Sequence, residues 1–419
     1  MPTTTPPTES EPPDADAGPL PAADPAEVTA GDFRAGFGEE LARVLDISAW
    51  ETGWDLTREY GRIEREVREA LRGETEVQRR TRAELFPRLF AAGGGVYEAR
   101  RDVMEAIHRG VLFAGGVEAC DGTVEVHDTL PLTIYQIGVS LVSYRGDQGT
   151  WQQRLFRRDL RRQGGDPIPE LADLLEHRSR RAALNHAATG DRLGELARKT
   201  VMDYAERAVL LRRSEAVWRM GHGNPITYEL LTGGGVLELM AAGTRLLREL
   251  ITGRPKFVFV ASEPRELLAL TIGQALPPGH YALVWTLDAT LRHWLHQRRF
   301  AVDVGDKIPW DEDDWMPPSE WIPRFLDEVA SRVVVGVYRA SEAAPAHLFY
   351  AHRDHAHYAA HLVMADSVLQ EHRGFPLLID VAHHVCQGVF GRSLGALTET
   401  AYAAAGAPWR YFSERQTRE

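Results

Sequence analysis

Four side chains carry the chemistry of phosphodiester hydrolysis if a fold brings them together: Asp121, Glu206, Glu229 and His383. Asp121 closes the apolar run Val111-Leu-Phe-Ala-Gly-Gly-Val-Glu-Ala-Cys-Asp121 and is followed by Gly-Thr123. The Asp-Gly pair reads equally as a turn. Glu229 stands in the apolar segment Ile226-Thr-Tyr-Glu-Leu-Leu-Thr232, where a carboxylate is costly unless paired or metal-bound. Glu206 and Glu215 lie on one helical stretch before it; either supplies a further acid, and Glu206 is preferred. His383 opens one face of the last helix with Asp380 just before it, and an imidazole can hold a metal or orient a water. Such hydrolysis is commonly driven by two divalent ions about 3.5–4 Å apart. Their ligands are hard oxygens drawn from well-separated parts of the chain.

The elements that would position these groups follow from periodicity. An apolar strand ending at Asp121, a turn, a second strand over Thr133–Tyr144 and a third over Thr150–Phe156 form a meander. Residues 167–219 read as helices, Pro225–Leu231 as a short strand carrying Glu229, and Val236–Ile251 as an apolar helix. Lys256-Phe-Val-Phe-Val-Ala261 has the continuous apolar character of a strand covered on both faces. A strand pair over Arg332–Arg339 and His347–Ala351 precedes two closing helices. Three strands in a meander, then helix, strand, helix, strand and helix, is the order of an RNase H-like α/β core with a mixed sheet. A doubly wound sheet would alternate strand and helix from the start. Residues 31–110 read as an N-terminal helical arm suited to assembly, 111–400 as the main domain with helical insertions, and 401–419 as a tail.

The chain has 419 residues, 44% hydrophobic and 26% charged, which suits a globular protein with an ample core. Residues 1–30 hold Glu9, Glu11, Asp14, Asp16, Asp24 and Glu27 and no Lys or Arg. This Pro-rich, acidic stretch is expected to be disordered. It carries half of the net charge of −12, so the acidity does not exclude a nucleic-acid partner. Arg154, Arg157, Arg158, Arg161 and Arg162 bunch beside the third strand, and Arg178, Arg180 and Arg181 follow. Local basic patches govern non-specific DNA affinity. Two cysteines, Cys120 and Cys386, offer no disulfide framework, which fits a cytoplasmic setting. No apolar run is long enough to span a bilayer and no signal peptide opens the chain.

Two segments carry a family resemblance. Ala119-Cys-Asp-Gly-Thr123 resembles the apolar strand ending in Asp-Gly-Ser of the NurA family, nucleases that pair with HerA-type hexameric ATPases. Gly374-Phe-Pro-Leu-Leu-Ile-Asp-Val-Ala-His383 resembles that family's late Gly-Tyr-Pro motif leading to Ala-His at the same spacing. The resemblance spans about residues 111–400. It implies metal-ligand roles for Asp121 and His383, a helical glutamate for which Glu206 is the candidate, and Glu229 in place of a family aspartate. Phe375 stands where the family has tyrosine. It also implies Mn²⁺ (or Mg²⁺) as the ion, a homodimer, DNA as substrate, and end-processing or degradation of DNA in repair or anti-phage defence. No Walker motif is present, so any motor is a separate protein.

Two other readings remain open. The Glu229 and Phe375 departures fit a catalytically weak adaptor that docks on an ATPase ring through its helical arm. The histidine-rich stretch Ala346–Tyr358, with His352, Asp354, His355 and His357, has the side chains of a different metal hydrolase; its spacing matches no metal motif, and a polar surface strand and loop is the preferred reading.

Overall fold

The computed structural model describes residues 29–50, 56–90, 94–129, 132–158, 192–262, 267–296, 307–311, 313–391 and 393–408, with residues 168 and 172. The expectations for residues 1–28, for Arg161, Arg162, Arg178, Arg180 and Arg181, and for the end of the C-terminal tail lie outside the described residues.

A nine-stranded mixed sheet organises the chain. Its strands are β1 (Gly95–Glu98), β2 (Val117–Asp128), β3 (Thr133–Ser143), β4 (Gly146–Arg157), β5 (Trp218–His222), β6 (Phe257–Ala261), β7 (His280–Thr286), β10 (Val333–Arg339) and β11 (His347–His352). A separate two-residue ladder pairs β8 (Ile308–Pro309) with β9 (Trp315–Met316). The order is β1-β7-β10-β11-β6-β5-β2-β3-β4. Strands β2, β3 and β4 form the antiparallel meander, while β5 and β6 run parallel to β2. That half of the sheet, β6-β5-β2-β3-β4, has the strand order of the expected RNase H-like core. The antiparallel strands β11, β10, β7 and β1 extend it beyond β6.

Both faces are covered, which explains the unbroken apolar character of β6. Phe257 and Phe259 pack into one core with Leu210, Leu230, Leu247 and Phe325; Val258 and Val260 pack into the other with Met220, Leu362 and Leu378. The first face carries helices α2 (Val201–Arg212), α3 (Tyr228–Thr232) and α4 (Leu237–Gly253). The second carries α5 (Ala356–Ser367) and α6 (Leu377–Cys386), followed by α7 (Ser393–Ala404). Residues 95–110, read from sequence as the end of the arm, belong to this body: β1 pairs with β7, and Ala99 and Ile107 are buried in the second core.

Two expected elements differ. No turn follows Asp121: β2 continues through Asp121 and Gly122, paired with Ser140 and Val139, as far as Asp128. Backbone hydrogen bonding to β3 on one side holds Asp-Gly extended where its composition favours a turn. Likewise Pro225–Leu231 is not a strand. The strand is Trp218–His222, which begins in the last two residues of the stretch read from sequence as helix, and Glu229 lies in the first turn of α3. Asn224 Oδ1 accepts the Ile226 N–H at 2.9 Å, and Thr227 Oγ1 accepts the Leu230 N–H at 3.4 Å. This cap starts a helix at the point where the apolar pattern alone suggests a strand.

The longest helix of the arm is α1 (Leu56–Arg80), none of whose residues is buried, and the short helices Ala30–Phe37 and Leu41–Leu45 precede it. Glu64–Arg68 and Glu76–Arg79 ion pairs lie along it. Its apolar side chains Leu56, Tyr60, Ile63, Val67, Leu71 and Val77 are all exposed.

Candidate active site

The site forms where β2 and β5 run side by side, with Cys120 opposite Gly221. Alternation sends Cys120 into the first core and Ala119 into the second, so Asp121 faces the second side, toward α6. On β5, Met220 packs into that same second core, and His222, two residues on, shares its side. Helix α6 brings His383 to the same point. Asp121 is 2% exposed, and its two carboxylate oxygens are shared between two imidazoles. Oδ2 stands 2.7 Å from His383 Nδ1, and Oδ1 stands 3.2 Å from His222 Nδ1. The far nitrogen of His222, Nε2, is 2.8 Å from Ser262 Oγ at the end of β6.

Burial pushes the Asp121 carboxyl up, but the hydrogen bonds to His222 and His383 outweigh it and hold the group below its ordinary range. Asp121 is therefore ionised, and both Nδ1 atoms carry the hydrogen they donate. The reciprocal effect raises both imidazoles. For His383 the hydrogen bond to Asp121 dominates; for His222 burial opposes the rise and Asp121 overcomes it.

Glu206 reaches the same strand from the other side. It projects from α2 toward Gly122, where a Cβ would stand 2.6 Å from Glu206 Oε1. Gly122 has no left-handed φ; it is needed because the carboxylate approaches the backbone so closely. Burial raises the Glu206 carboxyl to about 8, and the Asp121 charge adds to that, while Arg207 pulls it back. Arg207 is 1% exposed. Its Nη1 lies 2.5 Å from Glu206 Oε2, its Nη2 donates to Asn224 O at 2.7 Å, and its guanidinium sits 5.5 Å from the Phe259 ring centre. Its Nε has no partner among the described residues.

Helix α6 is fixed in two places. Ser140 Oγ donates to Ala382 O at 2.6 Å, beside His383 and one pair across from Asp121. At its N-terminal end, fully buried Asp366 accepts the Leu378 N–H at 2.9 Å and the Tyr144 hydroxyl.

Of the sequence candidates, Asp121, Glu206 and His383 are thus brought to one stretch of β2. Glu229 is half-buried on α3, and no hydrogen bond or ion pair among the described residues joins it to that cluster. Glu215 is exposed and its backbone N–H is held by Glu118 at 3.1 Å. Arg154 donates to Gln136 Oε1 at 2.6 Å, Arg157 is half-buried with an interaction of its own, and Arg158 is exposed. The residues missed from sequence are His222 and Arg207. His222 had a signal: Met220-Gly-His-Gly223, an apolar run ending on a polar residue before glycine, has the form of Ala119-Cys-Asp-Gly122. Arg207 had none beyond its place beside Glu206.

No three His, Cys, Asp or Glu side chains among the described residues already face one point as a metal cage. The donor types suit a divalent cation: ionised Asp121 has two imidazoles at hydrogen-bond distance, and Glu206, raised chiefly by burial, approaches β2 from the opposite side.

No family model and no curated protein matches the chain. Among solved structures it is similar to the NurA nuclease from Sulfolobus solfataricus, at 10% identity and a TM-score of 0.38 over 69% of this chain and 84% of that one. A second NurA structure aligns at 9% identity and 0.39 over 78% and 94%, and NurA with manganese at 10% and 0.32 over 72% and 95%. No described helix is long and apolar enough to cross a membrane.

Proposed function

We propose that the chain is a metal-dependent deoxyribonuclease whose reaction centre is Asp121, Glu206 and His383, with His222 beside them. The observation that carries this reading is Asp121 itself: a buried, ionised carboxylate at the middle of the sheet, with imidazoles on both oxygens and a second carboxylate close by. A strand carboxylate with a second acid on a neighbouring helix and an adjoining histidine suits the hydrolysis of a phosphate ester, whose charge must be offset while water is positioned. Asp121 and Glu206 would hold the ion, Mn²⁺ or Mg²⁺. When bound, it supplies a Lewis acid that lowers the pKa of a water and neutralises phosphate charge.

The chain's own groups do the rest. Asp121 fixes the tautomer of His383 by taking its Nδ1 hydrogen, which directs Nε2 away from the carboxylate. The His383 side chain is 40% exposed, so Nε2 can accept a proton from an approaching water. Arg207 holds Glu206 in place and opposes the burial that raises its carboxyl. Exposed Phe156 on the edge strand β4 and Arg158 just beyond its end offer a stacking surface and a phosphate contact for a nucleic-acid strand.

The test is cleavage of end-labelled single- and double-stranded DNA with Mn²⁺, Mg²⁺ or EDTA. Cleavage that needs the ion supports the reading. Cleavage undiminished by EDTA sinks it.

One observation favours an assembly role beside catalysis. The apolar side chains of α1 recur every three or four residues from Leu56 to Leu71 and none is covered. Such a seam needs a partner helix. We propose that the arm joins two copies of the chain or docks them on a separate hexameric ATPase of the HerA type. An inert chain that still forms these complexes would leave the adaptor role standing alone.

A further inference from the structure

Where the parallel pairing of β2, β5 and β6 ends, three polar side chains stand on one face of the sheet. They are Asp121, His222 and Ser262, the last two residues beyond Val260, which packs into the second core. We propose that Ser262 is a nucleophile served by His222 and Asp121, and that the chain hydrolyses carboxylic esters there without a metal ion. This activity goes beyond the nuclease reading above, with which it shares Asp121 and His222.

Two hydrogen bonds run in series through one imidazole. His222 Nδ1 stands 3.2 Å from Asp121 Oδ1, and His222 Nε2 stands 2.8 Å from Ser262 Oγ. Ionised Asp121 can only accept, so Nδ1 carries the ring hydrogen and Nε2 turns a lone pair to the serine hydroxyl. In that tautomer an imidazole can take the hydroxyl proton as the oxygen attacks. Asp121 cannot turn away, because His383 Nδ1 holds its other oxygen at 2.7 Å and the residue is 2% exposed. The orienting acid is thus buried while the nucleophile meets solvent: Ser262 is exposed, and the His222 side chain is 34% exposed. Water alone would satisfy an exposed serine, so the fold does not need its alignment with the Asp–His pair. Strand β5 stops at His222, and Gly223 takes a left-handed φ of 79° with open space where a Cβ would stand. Room for a substrate therefore lies outside the carboxyl ends of parallel strands, where open α/β sheets bind their ligands.

The reaction consumes only ester and water. Ser262 Oγ bonds to the carbonyl carbon while its proton passes to His222 Nε2. The bond from that carbon to the alcohol oxygen breaks, and the alcohol leaves with the proton. Water then attacks the acyl-serine, again giving a proton to Nε2; the acid departs and the proton returns to Ser262 Oγ.

The experiment uses the whole chain in chelator and without DNA. A fluorophosphonate, which traps activated serines covalently, is added, and intact mass with peptide mapping locates the adduct. Hydrolysis of p-nitrophenyl acetate is followed alongside. One adduct per chain is expected, on Ser262, and none in Ser262→Ala. His222→Gln should slow labelling about 100-fold or more, the low end for loss of a general base. No adduct on the wild type, or an adduct on another residue, overturns the proposal. So does ester hydrolysis that is as fast in Ser262→Ala, which removes only an exposed hydroxyl, as in the wild type. Labelling of His222→Gln within about twofold of wild type, with an unchanged thermal melt, overturns it too. Because labelling needs neither DNA nor an ion, failure here leaves the nuclease reading standing.

Discussion

Histidines gather in two regions of this protein, and their environments point in opposite directions. Along His347–His361 five imidazoles and Asp354 crowd into fifteen residues. Four of these imidazoles are spent on local structure. His347 Nε2 meets Arg373 O at 2.7 Å, His352 Nδ1 accepts the Asp354 N–H at 3.3 Å, His357 Nδ1 meets Tyr281 Oη at 2.8 Å, and His361 Nε2 accepts the Arg100 N–H at 3.2 Å. Burial holds His347, His352 and His357 below the ordinary imidazole range, so they are neutral. At β2, by contrast, two histidines from β5 and α6 converge on one aspartate and are raised by it. Density in sequence produced packing, whereas convergence of distant elements produced a charged site.

The largest effect should come from removing the group on which that convergence depends. Asp121→Ala leaves two imidazoles without an acceptor and the ion without its ionised ligand. Cleavage of labelled DNA should fall about 1,000-fold, the upper range for losing one preorganised electrostatic partner. A variant retaining more than a tenth of wild-type activity would place the chemistry elsewhere, and the histidine-rich stretch would be the next region to test.

Gly122→Ala should follow. Its Cβ would stand 2.6 Å from Glu206 Oε1 and 3.0 Å from Met202 Cγ. Displacing that carboxylate by about 1 Å should cost up to about 100-fold in rate. The same substitution at exposed Gly110, where a Cβ meets nothing within 4 Å, is the control. Equal activity in both variants would mean that Glu206 takes no part.

A stability effect comes third. Asp366 is a buried carboxylate raised by desolvation to about 6 from an ordinary value of 3.8, despite accepting from Tyr144 and the Leu378 N–H. In the unfolded chain it ionises near its ordinary value, so the folded state is at no disadvantage below about pH 4. As pH rises from there through 6, the folded protein loses stability, by about 3 kcal/mol at 1.36 kcal/mol per unit. Asp366→Asn retains an acceptor for Leu378 N–H and can meet the Tyr144 hydroxyl. Its denaturant midpoint should therefore vary less between pH 4 and 7 than that of the wild type. A wild-type midpoint flat over that window would contradict the buried charge.

Much of this was legible in the chain. The meander, β6, and the Asp121 and His383 motifs follow from apolar runs ending in polar residues, because strands buried on both faces carry little else. What was not legible depends on tertiary override. Asp121-Gly122 has turn composition, yet pairing with β3 holds it extended. Trp218–His222 has one charged residue inside it, Arg219, and reads poorly as a buried strand. Arg219 is tolerated because its guanidinium donates to Leu210 O at 2.9 Å and Ser214 O at 3.1 Å. Misplacing that strand moved the expected acid to Glu229 and hid His222. Nothing local marks Arg207, whose partners Asn224 and Phe259 come from β5's following loop and from β6.

The smallest effect should come from the crowded histidines, which sharpens the contrast from the other side. His352 is 3% exposed and accepts one backbone N–H. His352→Ala should cost about 1–3 kcal/mol for the lost acceptor and packing, while DNA cleavage stays within about twofold, since truncations remote from a site act through stability alone. The pH dependence carries the sharper sign. A histidine held below its unfolded value stabilises the fold fully above that value, near 6.5, and the contribution is lost as pH falls through the folded one. Wild type should therefore weaken between pH 7 and 5 by more than His352→Ala does, measured as the shift in thermal midpoint. If instead the variant lost cleavage while its melt stayed unchanged, imidazoles in this stretch would belong to a second reaction centre, and the division between the two regions would fail.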